Sequence, residues 1–365
     1  MKRERLVVIG PLPPPYHGVT VSTSLVLENP VLRETFAVDH VDTSDHRKSA
    51  NIGKWDFTNV SLGIRGLAML AWRLRERRGV VYLPLSQNAP AFLRDSLLLW
   101  AASARGWKVA VHLRGSDFKS FYGAASPILQ LWIRSTLRRV DSAAVMGGSL
   151  RWVFDGLVPS ERIAVVANGT PAPRPVNVSR DPEHVLFLSN LRRRKGVVEA
   201  LDAACLVLSE RPGAHFSFVG SWEDPVLEEE LRRRAAAFDG SINFRTPVEG
   251  QEKDELLASA AVLLFPPVEP EGHPRVVLEA MAVGLAIVTT DRGAIRETVV
   301  DGESGFVLAD PTPRDLADRV LTLLDDKALR DRIGRAARAR YLEHFTQEHA
   351  DRRFADWMTS VGEGS

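Results

Sequence analysis

Two glutamates, Glu271 and Glu279, stand eight residues apart in the stretch EPEGHPRVVLEA, residues 269–280. An apolar run, AVLLFP at 261–266, precedes them and is short enough for a buried strand, which puts Glu271 in the loop at that strand's exit. Pro274 suits the first position of a helix, where its missing N–H leaves nothing unpaired, and the helix PRVVLEAMAVG then stops at Gly284. A helix that starts straight after a strand presents backbone N–H groups and a positive dipole end, a seat for a phosphate or diphosphate. Gly272 would let such a ligand approach the backbone closely. Glu279, within the first two turns, could then meet a ribose, while Glu271, on the other side of the seat, would meet a second sugar. The chemistry suggested is the handling of a nucleotide sugar. The plain alternative is a surface glutamate in a loop and another in a first helical turn, where the dipole favours acids anyway.

The elements that must hold this constellation follow an alternating rhythm of short β-rich runs and longer helical patterns, which predicts α/β architecture with parallel sheets covered by helices. Strands are expected at 5–10, 37–42, 79–83, 108–113, 142–147 and 162–166, with helical spacing at 91–105 and 126–139. The segment ANGTPAPRPVNVSRDP, 167–182, carries four prolines and an Asn-Gly and reads as an interdomain linker. Strands resume at 184–189, 216–220, 242–246, 261–266, 286–290 and 305–308, separated by helices at 196–210, 226–237, 252–259, 274–283 and 313–340. At 365 residues, two similar doubly wound domains facing a cleft are expected.

Composition bounds the partners. Hydrophobic residues at 45% and charged residues at 25% are those of a globular protein able to bury large cores. The single cysteine, Cys205, excludes an internal disulfide and fits a reducing cytoplasm. The run LVVIG at 6–10 is too short for a signal peptide, and no stretch of 18 apolar residues could span a bilayer. The net charge of +1 hides an asymmetry: residues 1–170 hold 22 Lys and Arg against 13 Asp and Glu, leaving 25 against 33 for 171–365. A basic half suits an anionic substrate or membrane surface, and no nucleic-acid recognition signature accompanies it. Segment 60–78, VSLGIRGLAMLAWRLRERR, reads as an amphipathic helix with a basic end, suited to lipid headgroups or to packing on a sheet.

Residues 271–324 resemble the signature region of family 4 of the retaining glycosyltransferases, which have the GT-B fold of two Rossmann-like domains. The matching features are Glu271 and Glu279 in an E-x7-E pattern, Ala280 to Ala282, the turn from Gly293 to Glu297, and Asp301-Gly302 with Gly305-Phe306. The resemblance implies that Glu279 binds the donor ribose and Glu271 contacts the donor sugar near its anomeric centre. It also implies that amides after Gly272, through His273 to Arg275 and Val276, hold the distal phosphate.

Further segments extend the likeness over almost the whole chain. LSNLRRRKGVVEAL, 188–201, resembles a strand and loop leading to a Lys-Gly helix start, which implies that Lys195 neutralises the leaving diphosphate. The family's usual Arg falls on Asn190; Arg192, Arg193 or Arg194 could supply that cation, and the spacing does not say which. IGPLPPPYHGVTVSTSLVL resembles the first strand, loop and helix, with Gly18 near the donor phosphates. In VHLRGSDF, 111–118, Arg114 occupies the place where many relatives carry a His of the catalytic region, with His112 two residues earlier. YLEHFTQEHADRRFADWM, 341–358, resembles the terminal helices that cross back to the first domain.

The domains implied are an acceptor-binding domain over 1–170, a nucleotide-sugar-binding domain over 171–345, and a crossing helix over 346–365. The reaction implied is sugar transfer with retained anomeric configuration, from a nucleotide-diphosphate sugar to a glycan, lipid-linked or small-molecule acceptor. With no Asp-x-Asp in the chain, no metal or other cofactor is required. The setting implied is the cytoplasm or, peripherally, the inner membrane surface. Because Asn190 and Arg114 depart from the pattern, a nucleotide-sugar-binding scaffold of the same fold that has lost catalysis is the competing expectation.

Overall fold

The computed structural model describes residues 3–14, 18–44, 69, 72–75 and 78–364. The helix expected over 60–78 therefore lies, but for a few residues, outside the described residues. The chain divides into two compact units, Met1–Ala167 with Glu348–Ser365, and Asn168–Gln347.

Unit 1 is built on six parallel strands: β1 (Glu4–Gly10), β2 (Phe36–Asp42), β3 (Gly79–Pro84), β4 (Lys108–His112), β5 (Ser142–Val145) and β6 (Ile163–Val165). They lie in the order β2-β1-β3-β4-β5-β6. Every residue of β3, GVVYLP, is buried, as a strand covered on both faces requires. Helices Ala89–Ala104 and Pro127–Leu137 start where the Asn88 and Ser126 side chains accept amide protons, from Ala91 N at 3.1 Å and Leu129 N at 3.4 Å. A further helix, Phe118–Ala124, has too little apolar periodicity to be read from FKSFYGA. The last helix, Gln347–Glu363, packs on this sheet: Phe354, Trp357, Met358 and Val361 share a core with Leu6, Val8, Val80 and Tyr82. Trp357 Nε1 donates to Ser142 Oγ at 2.9 Å and Asn29 Nδ2 to the Asp351 carbonyl at 2.9 Å.

Unit 2 has its own six parallel strands: β7 (His184–Leu188), β8 (His215–Val219), β9 (Ile242–Arg245), β10 (Val262–Phe265), β11 (Ala286–Thr290) and β12 (Phe306–Leu308). Their order is β12-β11-β10-β7-β8-β9. This is the dinucleotide-fold order, whereas unit 1 follows the flavodoxin-like order, so the expectation of two similar halves holds for class but not for wiring. The helix expected over 313–340 is two helices, Pro313–Asp325 and Lys327–His344. Asp326 leaves helical geometry at ψ 90°, and its side chain accepts from Leu329 N at 2.9 Å, ending one helix and capping the next. Residues 171–182 form neither helix nor strand, yet the segment is fixed to unit 2. Tyr341 Oη donates to the Thr170 carbonyl at 3.0 Å, and the Arg180 guanidinium to the carbonyls of Gly284 at 2.9 Å and Val283 at 3.1 Å.

At the amino-terminal end of this second sheet, His184 stacks on His215 with ring centroids 4.9 Å apart, and its Nε2 lies 2.9 Å from Ser217 Oγ. Burial first, and the neighbouring His215 second, push its pKa down from 6.5 to about 4. The unfolded chain therefore takes up a proton that the folded form refuses, and stability present above pH 6.5 is lost as pH falls toward 4. At about 1.4 kcal/mol per pKa unit, the loss for unit 2 is on the order of 3 kcal/mol. Denaturant midpoints taken across this range should fall with acidification in the native chain and fall less steeply in His184→Gln.

Candidate active site

In a parallel sheet all carboxyl ends share one edge, and the point where strand order reverses leaves a crevice there. In unit 2 that point lies between β7 and β10, whose exits carry Lys195 and Glu271. Lys195 Nζ donates to Glu271 Oε1 at 2.5 Å, with about a quarter of the lysine side chain and a tenth of the glutamate exposed.

Backbone packing fixes both partners. Gly196, at φ +78°, lies so close to the Pro266 carbonyl that a Cβ would overlap it, which holds the Lys195 turn against the exit of β10. Gly293, at φ +64°, is in the same relation to Glu271: its missing Cβ is filled by the Glu271 backbone, with which it forms a bridge, and Ala294 N donates to the Glu271 carbonyl at 3.1 Å. The β11 threonines complete the frame. Thr289 Oγ1 donates to the Phe265 carbonyl at 2.6 Å and Thr290 Oγ1 to that of Pro267, tying down the loop that carries Glu271.

Beyond Glu271 the loop leads to the helix Arg275–Ala282. Pro274, expected at its first position, is the cap residue instead, with non-helical ψ 121°. The shift moves the first intrahelical donor to Val277, whose N–H meets the Pro274 carbonyl at 3.2 Å; the amides of Arg275 and Val276 precede it. Gly272 and His273 are buried; the His273 carbonyl accepts from Asn168 Nδ2 at 2.9 Å and its ring lies 5.2 Å from that of Phe345. Arg275 reaches back to the Gly169 carbonyl at 3.4 Å. Gly284, at φ +66°, ends the helix in left-handed geometry.

Glu279 has a partner that sequence reasoning missed. Lys253, on the helix Gly250–Ser259, donates to Glu279 Oε1 at 2.8 Å with both side chains largely shielded. A lone lysine in GQEKDELLAS carries no local signal that would have pointed to it.

The basic run divides its partners. Arg192 pairs with Glu223, Arg193 with Glu230 at 2.9 Å and Arg194 with Glu269 at 3.4 Å, so within the run it is Lys195 that pairs with Glu271. Burial, followed by the Arg194 charge, lowers the Arg192 pKa. Asn190 is exposed, and its Oδ1 accepts from Ser221 Oγ at 3.0 Å.

Gly18, His112 and Arg114 belong to unit 1. Gly18 is exposed at the start of the helix Gly18–Glu28, with open space where a Cβ would stand. His112 is fully buried, its ring edge-on to Trp357 at 5.5 Å and to Tyr82 at 6.3 Å. Burial foremost and Arg114 second hold its pKa well below the usual histidine range. The ring is part of an aromatic core, whereas Arg114, just past the end of β4, is half-buried and donates to Tyr82 Oη at 3.1 Å.

Two doubly wound parallel sheets, one of them with a facing cation and carboxylate at its switch point, define a protein of the GT-B class. Residues 171–340 match the family model of the glycosyl transferases group 1. The chain is 29% identical over 253 residues to a phosphatidyl-myo-inositol mannosyltransferase of Mycobacterium leprae, covering 67% of this chain and 64% of that one. Matches to curated relatives span between 42% and 64% of those proteins' own length. Among solved structures, Anabaena Alr3699/HepE in complex with UDP and glucose superposes with TM-score 0.76 at 16% identity, covering 98% of this chain and all of that one. A glycosyltransferase from Rickettsia africae superposes with TM-score 0.75 at 14% identity over the whole of both chains. The chain has the GT-B fold.

The Gly293–Glu271 contact yields a test of how the site is held. Gly293→Ala should destabilise unit 2 by more than about 2 kcal/mol, from left-handed strain plus displacement of the Glu271 backbone. Gly302→Ala, also at positive φ but in open space, should lose only about 1 kcal/mol in the same denaturation measurement.

Proposed function

We propose that this protein is a retaining glycosyltransferase that moves a sugar from a nucleotide-diphosphate donor to a glycan, lipid-linked or small-molecule acceptor. The observation that carries the reading is the Lys195–Glu271 pair at the switch point of unit 2, beside the start of the helix that bears Glu279. In this reading the donor diphosphate takes Lys195 away from Glu271 and meets the amides of Arg275 and Val276, so that a cation and a helix dipole face the charge of the departing nucleotide. Glu271, released from the lysine, contacts the donor sugar and stabilises positive charge at its anomeric carbon. Glu279 exchanges Lys253 for the ribose hydroxyls. The departing phosphate helps to deprotonate the acceptor hydroxyl, and no metal is needed to hold the diphosphate. Arg114, just past the end of β4, is a cation that unit 1 offers to an anionic acceptor. The group 1 match over 171–340 supports the donor assignment, as does the likeness to a structure solved with UDP and glucose.

A panel of uridine, guanosine and adenosine diphosphate sugars tests the reading, first by thermal shift and then by transfer and donor hydrolysis. Lys195→Ala should lower kcat by on the order of 10²–10³, as expected for removing a group that stabilises leaving charge. Glu271→Gln should act mainly on kcat and Glu279→Gln mainly on KM, because only the first faces the reacting carbon. Full turnover by the Glu271→Gln/Glu279→Gln double variant would overturn the assignment. Donor binding by calorimetry with neither transfer nor hydrolysis would overturn catalysis while keeping the fold's ligand.

A further inference from the structure

Unit 1 carries an apolar surface that its own fold leaves uncovered. The helix Pro127–Leu137 turns Ile133, Thr136 and Leu137 inward, which accounts for its attachment to the sheet. Its opposite face repeats apolar residues at helical spacing: Ile128 is 81% and Leu131 67% exposed, with Trp132 beside them. The neighbouring helix Ala89–Ala104 extends the face through Leu97, 43% exposed, and Trp100, whose ring stacks on Trp132 at 4.5 Å. Trp100 Nε1 donates inward to Thr136 Oγ1 at 3.0 Å, so its polar edge is satisfied on the protein side. A continuous apolar face of this kind marks an interaction site.

Charge selects the occupant. From 118 to 140 the chain contains Lys119, Arg134, Arg138 and Arg139 and no acidic residue. The Arg139 guanidinium lies 4.8 Å from the Trp100 ring, and Arg138 and Arg139 are exposed at the helix end. The one acid on these two helices, Asp95, is buried and paired with Arg94, so a basic rim around aliphatic residues and a tryptophan pair complements a surface with negative headgroups over hydrocarbon. We infer that this face, made by helices Ala89–Ala104 and Pro127–Leu137, docks unit 1 on an anionic phospholipid bilayer. Ile128 and Leu131 enter the acyl boundary, the tryptophans sit at headgroup level, and the arginines meet lipid phosphates. The inference stands apart from sugar transfer and needs no donor to be tested.

The full chain is mixed with vesicles of phosphatidylcholine alone or with added phosphatidylglycerol, and bound protein is measured by flotation at low and high salt. Binding should require phosphatidylglycerol, weaken with salt, and quench tryptophan fluorescence when the lipid chains are brominated. Ile128→Asp/Leu131→Asp should abolish it. Arg138→Ser/Arg139→Ser should weaken it about tenfold or more, as each cation near an anionic surface adds to partition. All four side chains are exposed, and an unchanged melting temperature establishes that the variants fold. Three outcomes overturn the inference: no binding to phosphatidylglycerol vesicles, binding untouched in both folded variants, or a dimer in sedimentation that Ile128→Asp/Leu131→Asp dissolves while vesicles go unbound. The last would make the face a contact between copies of the chain.

Discussion

The pairing of Lys195 with Glu271 is the interaction around which unit 2 is arranged, because each partner is placed by backbone contact rather than by side-chain reach. A shielded ion pair gains little net stability, since desolvation of both charges offsets their attraction. This one persists because Gly196 rests on the Pro266 carbonyl and Gly293 on the Glu271 backbone, two approaches that only a residue without Cβ permits. The pair occupies the crevice where strand order reverses, the position at which doubly wound sheets receive ligands. A shielded ammonium held by a single carboxylate is well matched to a more highly charged diphosphate, which can replace the carboxylate and leave it to meet a sugar.

The helix that bears Glu279 is held at both ends. At its start, the Pro274 cap leaves the amides of Arg275 and Val276 ahead of the intrahelical bonding that begins at Val277. At its end, Arg180 and Arg338 donate to the last carbonyls, and Gly284 lies close against Gly334 of the helix Lys327–His344. The segment that supplies Arg180 is rich in proline and lacks regular structure, yet it serves unit 2 as a clamp. Rigid support of this kind keeps a short helix, eight residues long, from fraying where its dipole is used.

Unit 1 spends its aromatic residues differently. Tyr82, Phe354 and Trp357 form an edge-to-face cluster that joins the last helix to the sheet and encloses His112. Arg114 is tied to that cluster through Tyr82, whose hydroxyl pKa burial raises and the guanidinium opposes. Trp100 and Trp132, by contrast, stand at the surface among basic residues, so part of the positive balance of residues 1–170 is concentrated beside an apolar face.

Much of this was legible in the sequence. All twelve strands among the described residues were readable from short apolar runs bounded by turn residues, most plainly central strands such as β3 and β10, because a strand buried on both faces must be apolar at nearly every position. The loop-to-helix transition at 271–275 was readable from Gly, Pro and the following periodicity, which act within a few residues of themselves. What tertiary structure alone decided are matters of long sequence separation: the different wiring of the two sheets, which cation of 192–195 faces Glu271, the burial of His112, and the pairing of Glu279 with Lys253. Local propensity specifies an element's type because its hydrogen bonds and periodicity lie within it. It does not specify neighbours, because partners 26 and 76 residues apart meet only after the chain between them has folded.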